Sequence, residues 1–333
     1  MDRRKFLVGT AAGAAAIAGF GVNGAAQAPA APAAGGQAAG GAGRQGAAAV
    51  QGRGRGPADV PAWKIARVSI MTYNYNNMVK APWQEASPTR ILDILDIPQF
   101  YVDTYGVHHV EFQNSHVGQN RLPDLELFKQ LKAKLDAVKS TASQINIETG
   151  NLGGMTPEAS LAWVENTKKW VDAAPILGVT RLMLNQGTLN QETKASVVAT
   201  WKAAVEYAKP RGVMISAETR GGGGGRAGAD GVVPPPAWML LEECIEAAGG
   251  HSNIDIGGAG APNQDALHAA IKGMFPTTSG NMHIKSSTNW DIGAAVRYTE
   301  SLGYKGLYSI EVNQDAAIRI VYNTILANVK NQA

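Results

Sequence analysis

From about residue 61 to its C-terminus, the chain alternates between short apolar runs and longer stretches whose apolar residues recur every three or four positions. The runs are typical of buried parallel strands, and the stretches are typical of amphipathic helices. The predicted strands cover residues 67–73, 108–113, 144–148, 180–185, 212–218, 253–255, 281–285 and 306–311. Eight β/α units in roughly 270 residues predict an α/β fold, a single (β/α)8 TIM barrel over residues 61–333, rather than a doubly wound open sheet.

Local helix signals agree with this division. Thr156 and Pro157 open the predicted helix 156–174, with the threonine as N-cap and the proline in the first turn. Gly106 ends the first predicted helix, 91–105, in the way that glycine ends many helices. These signals place loops where a barrel needs them.

Four side chains that can bind metals lie at the C-terminal ends of four consecutive predicted strands: Glu218, Asp255, His283 and Glu311. The gaps between them are about 37, 28 and 28 residues, each roughly one strand plus one helix. In a parallel barrel such positions converge on one mouth, where active sites lie. Three carboxylates and one imidazole predict a site for one divalent metal ion, Mn, Mg, Co or Zn. The competing interpretation is that each carboxylate caps a helix and that the histidine belongs to the core.

Other polar residues are candidates for contact with a substrate at the same mouth. Glu111 shares an alternating strand face with His109 and Gln113, and His116 follows in the next loop as a candidate proton shuttle. Lys285 lies two residues after His283 and therefore faces the same side of its strand, where it is a candidate to bind substrate or to pair with a carboxylate. The full predicted substrate-binding set is Glu111, His116, Glu148, Asn185, Arg220 and Lys285.

The N-terminal segment predicts export. Arg3 and Arg4 precede a weakly apolar stretch, and a small-residue cleavage site follows at Ala28, so residues 1–28 are predicted to be a twin-arginine signal peptide. Residues 29–60 are rich in Ala and Gly and predict a disordered linker. We therefore expect a periplasmic or otherwise exported protein that engages the Tat export machinery. The alternative is a basic N-terminus with a disordered tail. The apolar stretch is too short for a stable membrane span.

Charge and cysteine content narrow the classes of partner. The formal net charge is +3, and removal of Asp2, Arg3, Arg4 and Lys5 takes away a net +2, leaving +1. A nearly neutral body gives no electrostatic case for nucleic-acid binding. Cys244 is the single cysteine, so no intrachain disulfide can form. The oligomeric state stays open.

A glycine run, 221–225, follows the fifth predicted strand between Arg220 and Arg226. It lacks the Gly-Lys-Ser/Thr ending of a phosphate-binding loop. Two interpretations stay open: a mobile lid over the mouth, with Arg220 available to a substrate anion, or a flexible insertion without a function.

The barrel region resembles the sugar phosphate isomerase/epimerase family, the xylose isomerase-like barrels. The resemblance is carried by five segments: Gly106 to His116, Trp170 to Asn185, Ala208 to Glu218, Asn281 to Lys285 and Gly303 to Glu311. It implies one metal ion held by Glu218, Asp255, His283 and Glu311. It also implies that Glu218 and Glu311 combine metal contact with acid/base catalysis from opposite faces of the substrate.

Two departures from the family pattern leave the substrate open. Glu218-Thr-Arg stands where relatives often have Glu-Asn-His, and Asp255-Ile-Gly-Gly stands where they often have Asp-x-Gly-Asn. We expect a metal-dependent isomerase or epimerase that moves a proton through a metal-stabilised enediolate of an unphosphorylated sugar or keto-sugar. The alternatives are a carbon–oxygen lyase that eliminates from keto-glycosides and a non-catalytic sugar-binding barrel. An endonuclease with a zinc cluster is disfavoured because the chain has only six histidines.

Overall fold

The computed structural model describes residues 60–331 except 86, 121, 149, 188, 219–235, 258–260, 288–289 and 313–314. The predicted signal peptide 1–28 and nearly all of the predicted linker 29–60 lie outside the described residues. So do Arg220 and the glycine run 221–225.

Eight strands of one parallel barrel are found in the described part of the chain. They are β1 (Val68–Met71), β2 (His109–Gln113), β3 (Thr141–Ile147), β4 (Arg181–Leu184), β5 (Met214–Glu218), β6 (His251–Asn253, resumed at Asp255–Ile256), β7 (Asn281–Ile284) and β8 (Leu307–Ile310). Each overlaps a strand predicted from the sequence. The sixth differs in form, since Ile254 interrupts it and divides it into two short pieces.

The sheet order shows how the barrel closes. It runs from the first piece of β6 through β5, β4, β3, β2, β1, β8 and β7 to the second piece of β6. Every pairing in this sheet is parallel. Both ends of the sheet therefore belong to the same strand, and β6 closes the ring. The predicted TIM barrel is confirmed.

A helix follows each strand. The helices are α1 (Ile97–Tyr105), α2 (Leu125–Ala137), α3 (Pro157–Leu177), α4 (Lys194–Ala208), α5 (Ala237–Ala248), α6 (Gln264–Met274), α7 (Ile292–Ser301) and α8 (Asp315–Asn328). The predicted cap of α3 is present, because the Thr156 hydroxyl accepts a hydrogen bond from the Ala159 N–H. The αL glycine at the end of α1 is Gly106, with φ of 70°.

The start of α1 differs from the prediction of a helix from residue 91. Leu92–Asp93 forms a short parallel pair with Val79–Lys80, and a 3₁₀ turn over Ile94–Asp96 precedes the helix. Pro98 lies in the first turn of α1, where its missing N–H costs no intrahelical hydrogen bond. The helix therefore begins later than the apolar periodicity indicates.

The apolar core lies between the strands and the helices that surround them. Trp170 of α3 and Trp201 of α4 are among its largest fully buried side chains. Among the described residues, no helix combines the length and the apolar character that crossing a membrane requires.

Candidate active site

The parallel barrel brings the predicted strand-end residues to one mouth. Glu218 is the last residue of β5, and Glu311 directly follows β8. Asp255 begins the second piece of β6 and pairs in register with His283 of β7. Because all strands run in one direction, these positions share the C-terminal end of the barrel, as predicted.

Three of the four predicted ligands form one compact group. Glu218, His283 and Glu311 each offer an oxygen or nitrogen atom, and these atoms all lie within 4.8 Å of one another. Nδ1 of His283 lies 2.7 Å from Oε1 of Glu218 and 2.9 Å from Oε2 of Glu311. His283 and Glu218 are almost completely buried, whereas the Glu311 side chain is 13% exposed. Glu311 is thus the member of the group most open to a molecule at the mouth.

Asp255 joins the group through Lys285. Nζ of Lys285 lies 2.7 Å from Oδ2 of Asp255, 3.2 Å from Oε2 of Glu311 and 3.7 Å from Oε1 of Glu218. The lysine therefore contacts three of the carboxylates predicted to bind a metal. Pairing with a carboxylate, one of the two roles predicted for Lys285, is therefore observed, and its contact with substrate stays a prediction.

The electrostatics of the cluster show an excess of negative charge. Burial, together with nearby Glu218, raises the pKa of Asp255 to about 7. Burial opposes ionisation of Glu311 too, but the charges of His283 and Lys285 outweigh it and lower the pKa of Glu311 to about 2. Burial favours neutral His283, yet the carboxylates around the ring raise the pKa of His283 well above its ordinary value. Positive charge is thus strongly stabilised here.

The donor set fits a divalent cation. Carboxylate oxygens and an imidazole nitrogen are suitable ligands for Mn, Mg, Co or Zn. Oδ1 of Asp255 is a buried oxygen that accepts no hydrogen bond from the described residues. A buried carboxylate oxygen without a donor is costly in a folded protein unless a cation or water satisfies it. Asp255, Glu218, His283 and Glu311 therefore form a candidate metal site.

Glu111 is a buried residue that contacts His283. Its side chain is fully buried, and its oxygens accept hydrogen bonds from His283, Gln144 and Asn281 at 2.7, 3.0 and 3.0 Å. The Glu111 side chain lies against the nitrogen of His283 that faces away from Glu218 and Glu311, and contact of Glu111 with substrate stays a prediction. Gln144 and Asn281 were missed by the sequence analysis, although Asn281 lies two residues before His283 and so shares its strand face.

His116 is likewise a buried, satisfied residue rather than a substrate contact. Its Nδ1 lies 3.0 Å from the Thr72 hydroxyl, and its Nε2 lies 3.0 Å from Oδ1 of Asn76. Oδ1 of Asn76 can only accept, so the neutral ring carries its proton on Nε2, and Nδ1 accepts a hydrogen bond from the Thr72 hydroxyl. Burial, with a smaller contribution from Arg90, lowers the pKa of His116 to about 4. The ring is therefore neutral at physiological pH.

Glu148 and Asn185 lie together after β3 and β4. The Asn185 amide donates a hydrogen bond of 2.6 Å to Oε2 of Glu148, and Oδ1 of Asn185 accepts one from the Gly187 N–H. Gln186, which the sequence did not single out, donates to the backbone oxygen of Glu218 at 2.7 Å. These residues support the strand end that carries Glu218, and substrate contact by Glu148 and Asn185 stays a prediction. Arg220 lies outside the described residues.

Comparison with known proteins identifies the fold. No family model and no curated protein sequence matches the chain. A sugar phosphate isomerase/epimerase from Parabacteroides distasonis is 16% identical, with a TM-score of 0.57 over 79% of this chain and 94% of that one. The 3-keto-D-glucoside 4-epimerase from E. coli is 11% identical, with a TM-score of 0.56 over 78% of this chain and 97% of that one.

A family 2 AP endonuclease from Brucella melitensis is about equally similar, at 12% identity with a TM-score of 0.56 over 78% of this chain and 96% of that one. Similarity at this level establishes the fold, which is that of the xylose isomerase-like TIM barrels. Because enzymes with different reactions share that fold, its chemistry has to be argued from the site.

Proposed function

We propose that this protein is a metal-dependent isomerase or epimerase that acts on an unphosphorylated sugar or keto-sugar. The observation that carries the proposal is the compact group of Glu218, His283 and Glu311 at the barrel mouth. Asp255 completes the set of ligands through its unsatisfied oxygen. A divalent cation bound there would polarise a substrate carbonyl and make the neighbouring C–H bond more acidic.

The protein's own residues would move the proton. Glu311, the more exposed carboxylate of the group, would remove a proton from the carbon next to the carbonyl, and Glu218 would return a proton from the other side. Return to the same carbon with inversion would be epimerisation. Return to the former carbonyl carbon, with transfer of the proton of the neighbouring hydroxyl to the former carbonyl oxygen, would be isomerisation. Lys285, whose ammonium group lies among the same carboxylates at the barrel mouth, would donate a hydrogen bond to a substrate oxygen there.

The choice of an unphosphorylated substrate rests on the predicted export of the protein. Phosphorylated sugars are scarce outside the cytoplasm, so an exported barrel would meet free sugars or keto-glycosides. Export through the Tat machinery to the periplasm is itself a prediction from residues 1–28. Cell fractionation of the wild type and of a variant with Arg3→Lys and Arg4→Lys tests it, with loss of the exported form as the expected result.

Solvent exchange tests the reaction. The purified protein, loaded with Mn²⁺ or Zn²⁺, is incubated in D2O with a panel of ketoses, aldoses and 3-keto-glucosides. Deuterium at the carbon next to the carbonyl, together with an isomer or epimer, is the expected result. Release of the aglycone without an isomer would identify a β-eliminating lyase instead. Tight sugar binding without exchange would identify a non-catalytic barrel, and either of these outcomes overturns the proposal.

A further inference from the structure

The imidazole of His283 is held from both of its nitrogens, and the two sides differ. Nδ1 faces Glu218 and Glu311 of the candidate metal site. Nε2 faces Oε1 of Glu111 at a distance of 2.7 Å. His283 lies on β7 and Glu111 on β2, and the sheet order places β8 and β1 between these strands. The contact therefore crosses the interior of the barrel and fixes the ring from the side opposite the proposed ligands.

Glu111 is itself held rigidly. Gln144 of β3 donates to Oε1 at 3.0 Å, and Asn281 of β7 donates to Oε2 at 3.0 Å. All three side chains are fully buried. A carboxylate with both oxygens bound by buried donors has little freedom to turn, so it presents a fixed acceptor to His283.

The register of the sheet contributes to this placement. Val110 pairs with Ala142, but Glu111 pairs with Gln144, so Ser143 is an extra residue in β3. Such irregularities often lie next to active sites, where they change the direction of a side chain. Here the shift brings Gln144 into register with Glu111, which it then contacts. The local backbone and the hydrogen bonds thus serve the same arrangement.

We infer that Glu111 is a positioning residue that keeps the proton of His283 on Nε2 and thereby leaves the lone pair of Nδ1 free for a divalent cation. A carboxylate that accepts from the remote N–H of a ligating histidine fixes both its tautomer and its ring orientation. The inference rests on the metal site of the proposed function, but it is independent of the sugar chemistry.

A conservative variant can separate this role from a purely structural one. In Glu111→Gln, the amide oxygen can still accept from Nε2, but without a negative charge. The new amide N–H₂ would face Asn281, whose Oδ1 has no hydrogen-bond partner among the described residues and can accept if its amide turns over. We therefore expect the variant to fold. Glu111→Ala removes the acceptor altogether.

The matched control is Glu300→Gln. Glu300 is also buried, and its side chain pairs with Arg67 at the other end of the barrel. The substitution therefore neutralises a buried carboxylate without touching His283. Folding of all variants is checked by circular dichroism at a temperature where each is native.

The experiment measures binding of Zn²⁺ and Mn²⁺ by titration calorimetry, and the tautomer of His283 by ¹⁵N NMR of the Zn²⁺-loaded protein. We expect affinity to fall about 10-fold in Glu111→Gln and about 100-fold in Glu111→Ala, the range typical of a lost outer-shell partner. Glu300→Gln should bind like the wild type. In the wild type the ring proton should reside on Nε2, and in Glu111→Ala the spectrum should show a mixture of tautomers.

Wild-type affinity and an unchanged His283 spectrum in Glu111→Gln and Glu111→Ala would overturn the inference. So would an equal loss of affinity in Glu300→Gln, which would trace the effect to buried charge in general, or a wild type that binds no divalent cation. Failure of the proposed function looks different: the wild type would bind metal, and Glu111→Gln would bind it less tightly, but no sugar in the panel would exchange hydrogen with solvent.

Discussion

Both ends of the barrel bury charged side chains, but the two ends differ in how well positive and negative charges are matched. At the N-terminal end of the strands, Arg67 pairs with Glu300 at 2.7 Å and also donates to the backbone oxygens of Gly306 and Tyr304. Tyr308 donates to the same carboxylate. One cation and one anion are thus matched, and each is surrounded by further hydrogen bonds.

At the C-terminal end, carboxylates outnumber cations in the cluster that the described residues form. The four carboxylates of Glu111, Glu218, Asp255 and Glu311 surround one histidine and one lysine. Oδ1 of Asp255 lacks a donor among the described residues. A balanced buried pair is consistent with a structural role, whereas clustered carboxylates with shifted pKa values are typical of functional sites. The contrast is therefore consistent with a structural role for the charged pair at one end and with the proposed chemistry at the other.

Neutralising Glu218 or Glu311 at the barrel mouth should cause the largest change, a loss of turnover. We expect Glu218→Gln or Glu311→Gln to lower turnover about 1,000-fold or more, because each removes a residue proposed both as an acid/base group and as a metal ligand. The metal-free variants should still unfold cooperatively, although Glu311→Gln should melt at a lower temperature, because His283 and Lys285 stabilise the ionised Glu311 carboxylate. Turnover on the sugar found in the exchange panel and calorimetric melting are the measurements. Full activity in either variant removes the acid/base assignment.

The corresponding change at the other end should have the opposite signature. Glu300→Gln leaves the Arg67 guanidinium without its charged partner in a largely buried place, and we expect a loss of about 4 kcal/mol in unfolding free energy. Turnover of the folded enzyme should stay at the wild-type level. Urea denaturation and initial rates test the two halves of this prediction. A large loss of turnover at unchanged stability would show that the two ends are not functionally distinct.

Two buried histidines, His116 and His283, differ in the same way as the two ends of the barrel, because only one of them is surrounded by unbalanced charge. His116 has neutral partners, and burial lowers its pKa to about 4, whereas His283 is surrounded by carboxylates. The pKa of histidine in an unfolded chain is about 6.5, so between about pH 4 and 6.5 the unfolded state binds more protons than the native state. Neutral His116 therefore contributes stability that is fully present above pH 6.5 and is lost as the pH falls toward 4.

His116→Gln tests this sign. Glutamine can accept from Thr72 and donate to Asn76 but does not titrate, so the wild type should lose about 3 kcal/mol relative to this variant as the pH falls from 7 to 4. Urea denaturation of chelator-treated protein at a series of pH values gives the difference. Parallel curves for the two proteins would show that His116 is not held neutral by the fold.

The barrel and the convergence of the strand-end side chains could be predicted from the sequence, because both depend on periodicity. Glu218, Asp255, His283 and Glu311 recur at the spacing of one strand plus one helix, and parallel strands place such recurrences at one mouth. The side-chain alternation of β2 likewise placed Glu111 on the same strand face as Gln113. These features need only local pattern and the known architecture.

The alternation of side chains along a strand did not predict how deep Glu111 and His116 lie in the barrel, or which residues they contact. Glu111 and His283 are 172 positions apart, and their contact depends on the irregular pairing of β2 with β3. His116 was predicted to contact substrate because its loop follows a strand, but Thr72 and Asn76, 44 and 40 positions away, occupy both of its nitrogens. Side-chain alternation shows on which face of a strand a residue lies, but it does not show which residues from other strands contact it there.

The smallest expected effect is a change in metal affinity when Lys285, which partly neutralises the carboxylates at the barrel mouth, is replaced. Lys285 places its ammonium group among three carboxylates proposed as metal ligands, and so it competes with a cation for them. We expect Lys285→Met to bind Zn²⁺ or Mn²⁺ roughly tenfold more tightly in the absence of sugar. The substitution removes the ammonium charge, so no side chain competes with the metal ion for the three carboxylates. Calorimetric titration measures this directly. Lys194→Met, which removes an exposed lysine paired with Glu243, is the matched control and should leave affinity unchanged. Weaker binding in Lys285→Met would mean that the lysine supports the metal site instead of competing with it, and the excess of anions at this end would then be smaller than the carboxylate positions indicate.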